Sequence, residues 1–241
     1  MIPKIVHYCW FGEKEIPKRL KKCIESWSLY LPDYKIILWD ETNFDIKSNY
    51  WTREAYERGK YAFVSDYVRL KVLYDYGGIY LDTDVMVKRN LDSFLKYRAF
   101  TGFESENKLT SAVIGSEKGF TLIKEYLETY SNRHFVNTDG SINDDANVNM
   151  MTDICKKYGF KANNSYQVIK EMHIFPRDFF CPIDFWRNDK ITKNTFTIHY
   201  FEASWLDLET KKRIKRERSH FYKIFNKYIS KLSKIYNKHS K

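Results

Sequence analysis

Strand, helix and strand follow one another within the first 39 residues. Ile2 to Trp10 is a largely apolar run with a β-branched core and reads as a buried strand. Pro17 can open a helix at its first position. Leu20, Cys23, Ile24 and Trp27 then recur at helical spacing, with Lys18, Arg19, Lys21 and Lys22 turned outward. Pro32-Asp33 makes a turn, and Tyr34 to Trp39 is a second strand. So short a strand–helix–strand unit requires a parallel sheet with helices on its faces.

Glu54 to Tyr76 is expected to be mostly helical, with a break at Gly59 and with Gly77-Gly78 closing it as a left-handed cap. Ile79-Tyr80-Leu81 is a short strand that runs into Asp82-Thr83-Asp84, and Val85-Met86-Val87 continues it. Later strands are expected at 98–103, 111–115, 172–175 and 195–201, and helices at 119–130 and 146–158. The polar stretch 131–145 is expected to be a loop. With no internal repeat and no Gly/Pro-rich linker, the chain reads as one domain over 1–206 followed by a helix over 207–241.

Chemistry and charge narrow the class further. The 17% aromatic content supplies a substantial core. No stretch approaches the roughly 20 apolar residues of a transmembrane helix. Lys4 and His7 make the N-terminus a strand and not a signal peptide. Cys9, Cys23, Cys155 and Cys181 form no C-x-x-C pair and no zinc spacing, so a reduced, cytoplasmic protein is expected. The net charge of +10 is concentrated at one end: residues 206–241 hold 12 basic and 3 acidic side chains, the rest 29 and 28. A nearly neutral body without a nucleic-acid motif excludes nucleic acid as the fold's partner.

The sharpest site signal is Asp82-x-Asp84 behind Gly77-Gly78-Ile79-Tyr80-Leu81. Carboxylates at i and i+2 of an extended chain share a face. At the end of a sheet strand that face opens on the ligand crevice. Two close carboxylates call for a cation between them, and a hard divalent ion with oxygen ligands can bridge onward to a diphosphate. Just upstream, Ser65-Asp66-Tyr67-Val68-Arg69 places Asp66 and Arg69 on one helical face, either as a surface ion pair or as a sugar-holding carboxylate with its orienting guanidinium. His199 ends the alternating run Phe196, Ile198, Tyr200; it joins a metal site only if the fold brings it to Asp82 and Asp84.

Four blocks together, I-V-H-Y-C-W-F-G, A-F-V-S-D-Y-V-R, G-G-I-Y-L-D-T-D and T-I-H-Y-F-E-A-S-W, resemble the D-x-D-containing, sugar-binding glycosyltransferases of family 32. That group includes bacterial capsular and surface polysaccharide transferases, and the catalytic domains of the large clostridial glucosylating toxins are similar in the same blocks. The resemblance covers residues 2–206. It implies a GT-A fold: a Rossmann-like, mostly parallel central sheet with flanking helices. It implies donor-binding roles for His7, Trp10, Asp66, Arg69, Tyr80, Asp82, Ser204 and Trp205, with Trp10 stacking on the base. Mn²⁺ or Mg²⁺ would be held by Asp84, with Asp82 and His199. Asp66, Arg69, Asp82 and Asp84 would be the catalytic set.

The implied reaction moves a hexose, expected to be UDP-linked, from a nucleotide sugar to a glycan acceptor in capsular or surface polysaccharide synthesis. It would retain the anomeric configuration by front-face attack. The alternative is a protein-modifying effector of the toxin type. Asn143, Asp144, Asp145 and Asn147 lie where acceptor-side groups could be, though a solvated loop is the preferred reading. Beyond Ile214, the residues Ile214, Phe221, Phe225, Tyr228, Leu232 and Ile235 form an apolar stripe among lysines. Three uses of the stripe over 214–238 are open: contact with a membrane surface carrying a lipid-linked acceptor, packing on the body, and a homodimer. The first would make the protein peripheral on the inner face of the plasma membrane.

Overall fold

The computed structural model describes residues 1–143, 145, 147–183, 190–202, 209, 212, 213 and 216. The chain divides into two compact units, Met1–Glu202 and Ala203–Lys241. In the second unit Glu209, Lys212, Arg213 and Arg216 are helical. The rest of the expected C-terminal helix, Ser204, Trp205 and Asp144 lie outside the described residues.

The first unit is built on a seven-stranded sheet. Strand β1 (Ile5–Cys9), helix α1 (Lys18–Tyr30) and strand β2 (Lys35–Trp39) form the expected βαβ unit, with β1 and β2 parallel. Helices α2 (Tyr50–Glu57) and α3 (Tyr61–Tyr76) are separated at Gly59, as expected, although α2 begins four residues earlier than the sequence indicated. Strands β3 (Gly78–Leu81), β4 (Val85–Val87), β5 (Ala99–Gly102) and β6 (Val113–Ser116) precede helices α4 (Thr121–Glu128) and α5 (Asn147–Lys157). Then come β7 (Gln167–Ile169), β8 (Met172–Phe175), α6 (Arg177–Phe180) and β9 (Thr197–His199).

The strand order is β2-β1-β3-β6-β5-β8-β7. It is the expected α/β sheet flanked by helices and mostly parallel: β2, β1, β3, β5 and β8 run one way, and only β6 and β7 run the other. β1–β2, β1–β3 and β5–β8 are parallel, whereas β3–β6, β5–β6 and β7–β8 are antiparallel. The physical reason lies in the connections. Only ten residues separate β5 from β6, too few for a crossover helix. β7, which the sequence reading missed, turns into β8 through Lys170 and Glu171, both at positive φ. That is the geometry of a tight two-residue hairpin, achieved without the usual Asn-Gly or Asp-Gly signal.

Two apolar layers sandwich the sheet. One includes Trp51, Val68, Leu73, Tyr126 and Met151; the other includes Trp27, Leu31, Ile79, Val85 and Phe180. Trp27 on α1 donates its indole N–H to the Val85 carbonyl at 2.8 Å, and Ser26 Oγ accepts from the Val87 N–H at 2.9 Å. These two bonds occupy one edge of β4, which leaves the main sheet and pairs antiparallel with β9.

Gly77 and Gly78 are required by geometry. Gly77 has φ 68° but ψ −178°, so it is not the left-handed cap expected. A Cβ there would lie 2.7 Å from the Lys118 nitrogen. Gly78 has φ 116°, and a Cβ would lie 2.7 Å from the Ile5 carbonyl oxygen. Gly78 lets β3 lie close against β1, Gly77 lets the turn pass the Ser116–Lys118 backbone, and together they fix where Asp82 emerges.

Candidate donor and metal site

Asp82 and Asp84 leave β3 in a turn and not on an extended chain, since the Val85 N–H returns to the Asp82 carbonyl at 2.9 Å. The turn swings β4 out of the sheet toward β9, and β9 delivers His199. Asp82, Asp84 and His199 each offer a ligand atom within 4.8 Å of the others. Two carboxylates and an imidazole suit a hard or borderline divalent ion. The fold thus makes the meeting that the sequence left open.

Asp84 is buried, and its Oδ2 accepts the Glu202 N–H at 2.9 Å. Its Oδ1 lies 3.3 Å from His199 Nε2. Burial opposes charge on Asp84, but His199 and the Glu202 N–H outweigh it and hold the carboxyl below its usual range. Burial likewise opposes a charged His199, yet Asp84 and the Cys181 thiol hold its pKa well above the ordinary histidine value.

Arg69 is the hub of the other half. Its guanidinium lies 3.0 Å from Asp66 and 3.3 Å from Asp82, and its Nη1 donates to the Ser111 carbonyl at 2.8 Å. It lies over the Tyr80 ring at 4.8 Å. Asp66 and Arg69 are thus not a solvent-facing helix pair, because the Arg69 side chain is only 5% exposed. Burial pushes Asp66 up to about 6, against the pull of Arg69 and with the push of Asp82. The unfolded value is about 3.9. The folded state therefore holds a proton that the unfolded chain loses, and stability contributed at Asp66 falls as pH rises from about 4 to about 6. Asp66→Asn is expected to raise Tm relative to wild type more at pH 7 than at pH 4.5. A difference independent of pH would contradict this account of the buried carboxyl.

Tyr80 is buried and its hydroxyl donates to Asp82 Oδ1 at 3.0 Å. That bond aims the Asp82 carboxylate and leaves the hydroxyl oxygen able to accept. Trp10, expected to meet the base, is half-buried just past the carboxyl end of β1, with its indole N–H on the Lys14 carbonyl. His7 is a correction. It is fully buried, its Nε2 hydrogen-bonds the Gly77 carbonyl at 2.8 Å, and its Nδ1 accepts the Trp39 indole N–H at 3.0 Å. Both nitrogens are spent on joining β1, β2 and the Gly77 turn, so none is left for a donor.

Asn147 is also corrected, from solvated loop to site wall. It is 1% exposed, its Nδ2 donates to the Asp66 carbonyl at 3.1 Å, and its Oδ1 has no partner among the described residues. It opens α5, within one residue of the expected helix start, and its burial against the Asp66 carbonyl is what the sequence did not show. The Ser111 carbonyl and the Glu202 N–H are backbone groups and carry no side-chain signal.

Comparison with known proteins agrees with this geometry. The family described as "glycosyltransferase sugar-binding region containing DXD motif" matches residues 17–101. Inositol phosphoceramide mannosyltransferase 3 of Schizosaccharomyces pombe is 35% identical over 134 residues, covering 52% of this chain and 36% of its own. Mannosyl phosphorylinositol ceramide synthase SUR1 of Saccharomyces cerevisiae is 37% identical over 120 residues, covering 48% of this chain and 31% of its own. The chain thus spans about a third of the length of these relatives. Among solved structures, PaToxG glycosyltransferase superposes with a TM-score of 0.53 at 21% identity, covering 65% of this chain and 68% of that one. The fold is of the GT-A type, and Asp82-Thr83-Asp84 places a D-x-D motif at the site.

Proposed function

We propose that this chain transfers a hexose from a nucleotide sugar to a glycan acceptor, in a metal-dependent reaction that retains configuration, as a member of glycosyltransferase family 32. The observation that carries the proposal is the convergence of Asp82, Asp84 and His199 beside the buried Asp66–Arg69–Asp82 network. A divalent ion at the trio would neutralise charge on the leaving diphosphate. The chain's own residues do the rest. Arg69 fixes Asp66 and Asp82 in one orientation, so that Asp66 can accept from sugar hydroxyls. In front-face attack the acceptor oxygen bonds to the anomeric carbon as the bond to phosphate breaks. The acceptor proton passes to the leaving phosphate oxygen.

Mn²⁺ is the proposed metal, with Mg²⁺ as substitute. The resemblance to polysaccharide transferases favours a UDP-hexose and a surface-polysaccharide product, whereas the yeast relatives' names describe mannosyl transfer and so favour GDP-mannose. The same names describe a lipid acceptor, which agrees with a lipid-linked acceptor here. We extend this to contact of the basic stripe 214–238 with an anionic membrane surface, each lysine contributing about 1 kcal/mol.

The test is a donor hydrolysis screen of UDP-glucose, UDP-galactose, UDP-N-acetylhexosamines and GDP-mannose with Mn²⁺ or EDTA, with and without anionic vesicles. One donor is expected to turn over with metal only, and the protein to co-sediment with vesicles at low salt. Turnover in EDTA defeats the metal role, no turnover of any donor defeats the transferase reading, and failure to sediment defeats the membrane contact.

A further inference from the structure

Resting on that reading, Glu104 stands out among the site's neighbours. It lies two residues past the end of β5, in the turn where the Phe103 N–H reaches the Phe175 carbonyl and the Glu104 N–H reaches the Lys108 carbonyl. This turn is on the same edge of the sheet as the Asp82–Asp84 turn. β3, β6 and β5 are consecutive, and antiparallel β6 sets the carboxyl ends of β3 and β5 side by side. The connection that follows Glu104 also supplies Ser111, whose carbonyl holds Arg69, and Ala112, whose carbonyl holds the Asp82 N–H at 2.9 Å. The Glu104 carboxylate is within electrostatic reach of His199, Asp82, Lys108 and Arg69.

The carboxylate is half-buried and, among the described residues, has no hydrogen-bond or ion-pair partner. Comparable carboxylates are committed. Glu54 accepts from His134 and two backbone N–H groups, Glu41 from the Gly12 N–H, and Asp178 from Thr192. Removing an acid from bulk water without a partner costs free energy. Lys108 does not supply one although it is in the same turn. Glu104 also lies outside the trio of atoms that could share a metal. What such a group lacks is a donor hydrogen, and the adjoining site is built for a polyhydroxylated ligand.

We infer that Glu104 is a further substrate-contacting residue, whose carboxylate accepts a hydrogen bond from a sugar hydroxyl at the reaction centre. The hydroxyl belongs either to the transferred hexose or to the acceptor, whose place water takes in hydrolysis.

Glu104→Gln and Glu104→Ala in the full chain test it, with Mn²⁺ and the donor that wild type hydrolyses. Three quantities are measured: Kd for the nucleoside diphosphate, Kd for the nucleotide sugar, and hydrolysis kcat. A bond to a charged acceptor is worth roughly ten- to hundred-fold. If the hexose supplies the hydroxyl, nucleotide-sugar Kd weakens at least about ten-fold and diphosphate Kd does not change. If the acceptor position supplies it, both Kd values hold and kcat falls at least about ten-fold. Either result supports the assignment.

Nucleotide-sugar Kd and kcat both near wild type overturn it. Equal weakening of diphosphate and nucleotide sugar also overturns it, since the residue then acts through the fold or the metal. Wild type that binds no nucleoside diphosphate with Mn²⁺ fails the transferase reading itself, and Glu104 falls with it.

Discussion

On the proposed metal-dependent reaction, Asp84→Ala and Asp84→Asn are both expected to abolish donor turnover, by at least about a hundred-fold, the scale seen when one stabiliser of developing negative charge is removed. The two variants separate chemistry from folding. Asp84 is buried and holds the Glu202 N–H and His199, so alanine strands both partners and lowers Tm. Asparagine keeps an oxygen for the Glu202 N–H and retains more of the fold. Its loss of activity therefore reads the charge alone. Acid acts in the same direction. The Asp84 carboxyl titrates below its usual range, so its contribution to stability is present above about pH 4 and lost as pH falls through the folded pKa. Metal must also displace the His199 proton, so the Mn²⁺ concentration giving half activity falls as pH rises. A donor turnover in Asp84→Asn within a few-fold of wild type would remove Asp84 from the metal site.

Arg69→Ala has the second large effect, and it is expected on stability and activity together. The side chain is 5% exposed and is the cation between Asp66 and Asp82. Its removal leaves two carboxylates close together in a poorly solvated place. Breaking a buried pair in this way costs about 3–5 kcal/mol. Arg69→Lys restores the charge but not the fork that reaches Asp66, Asp82 and Ser111 together. It is expected to recover most of Tm in urea or thermal unfolding and little of kcat. If lysine restored both, Arg69 would be only a structural counter-ion.

Local pattern made the βαβ unit, the helix break at Gly59 and the D-x-D pair at the end of β3 legible, though not the turn that carries the pair. Each is announced by residues adjacent in the chain: Pro17 before an amphipathic stretch, a glycine at positive φ, two aspartates behind a strand. What could not be read depends on partners far away. His7 looks like a site residue until Trp39 and Gly77 occupy its two nitrogens. Asn147 looks like part of a polar loop until α5 carries it against Asp66. The reversal of β6 in a mostly parallel sheet follows from how β5 and β6 are joined, and Lys170-Glu171 makes a hairpin without the residues that usually mark one. His199 was named from its block, but only the β4–β9 pairing shows that it reaches Asp84.

That pairing also gives the molecule an order of assembly. The seven-stranded sheet takes its strands from residues before Pro176, whereas β4 waits for a three-residue partner more than a hundred positions later. During synthesis the Asp66–Arg69–Asp82 network can close on a nearly finished sheet while Asp84 still has no imidazole beside it. Within Met1–Glu202 the Asp82–Asp84–His199 corner is completed last, so a chain ended before β9 would carry the Arg69 network without the trio beside it.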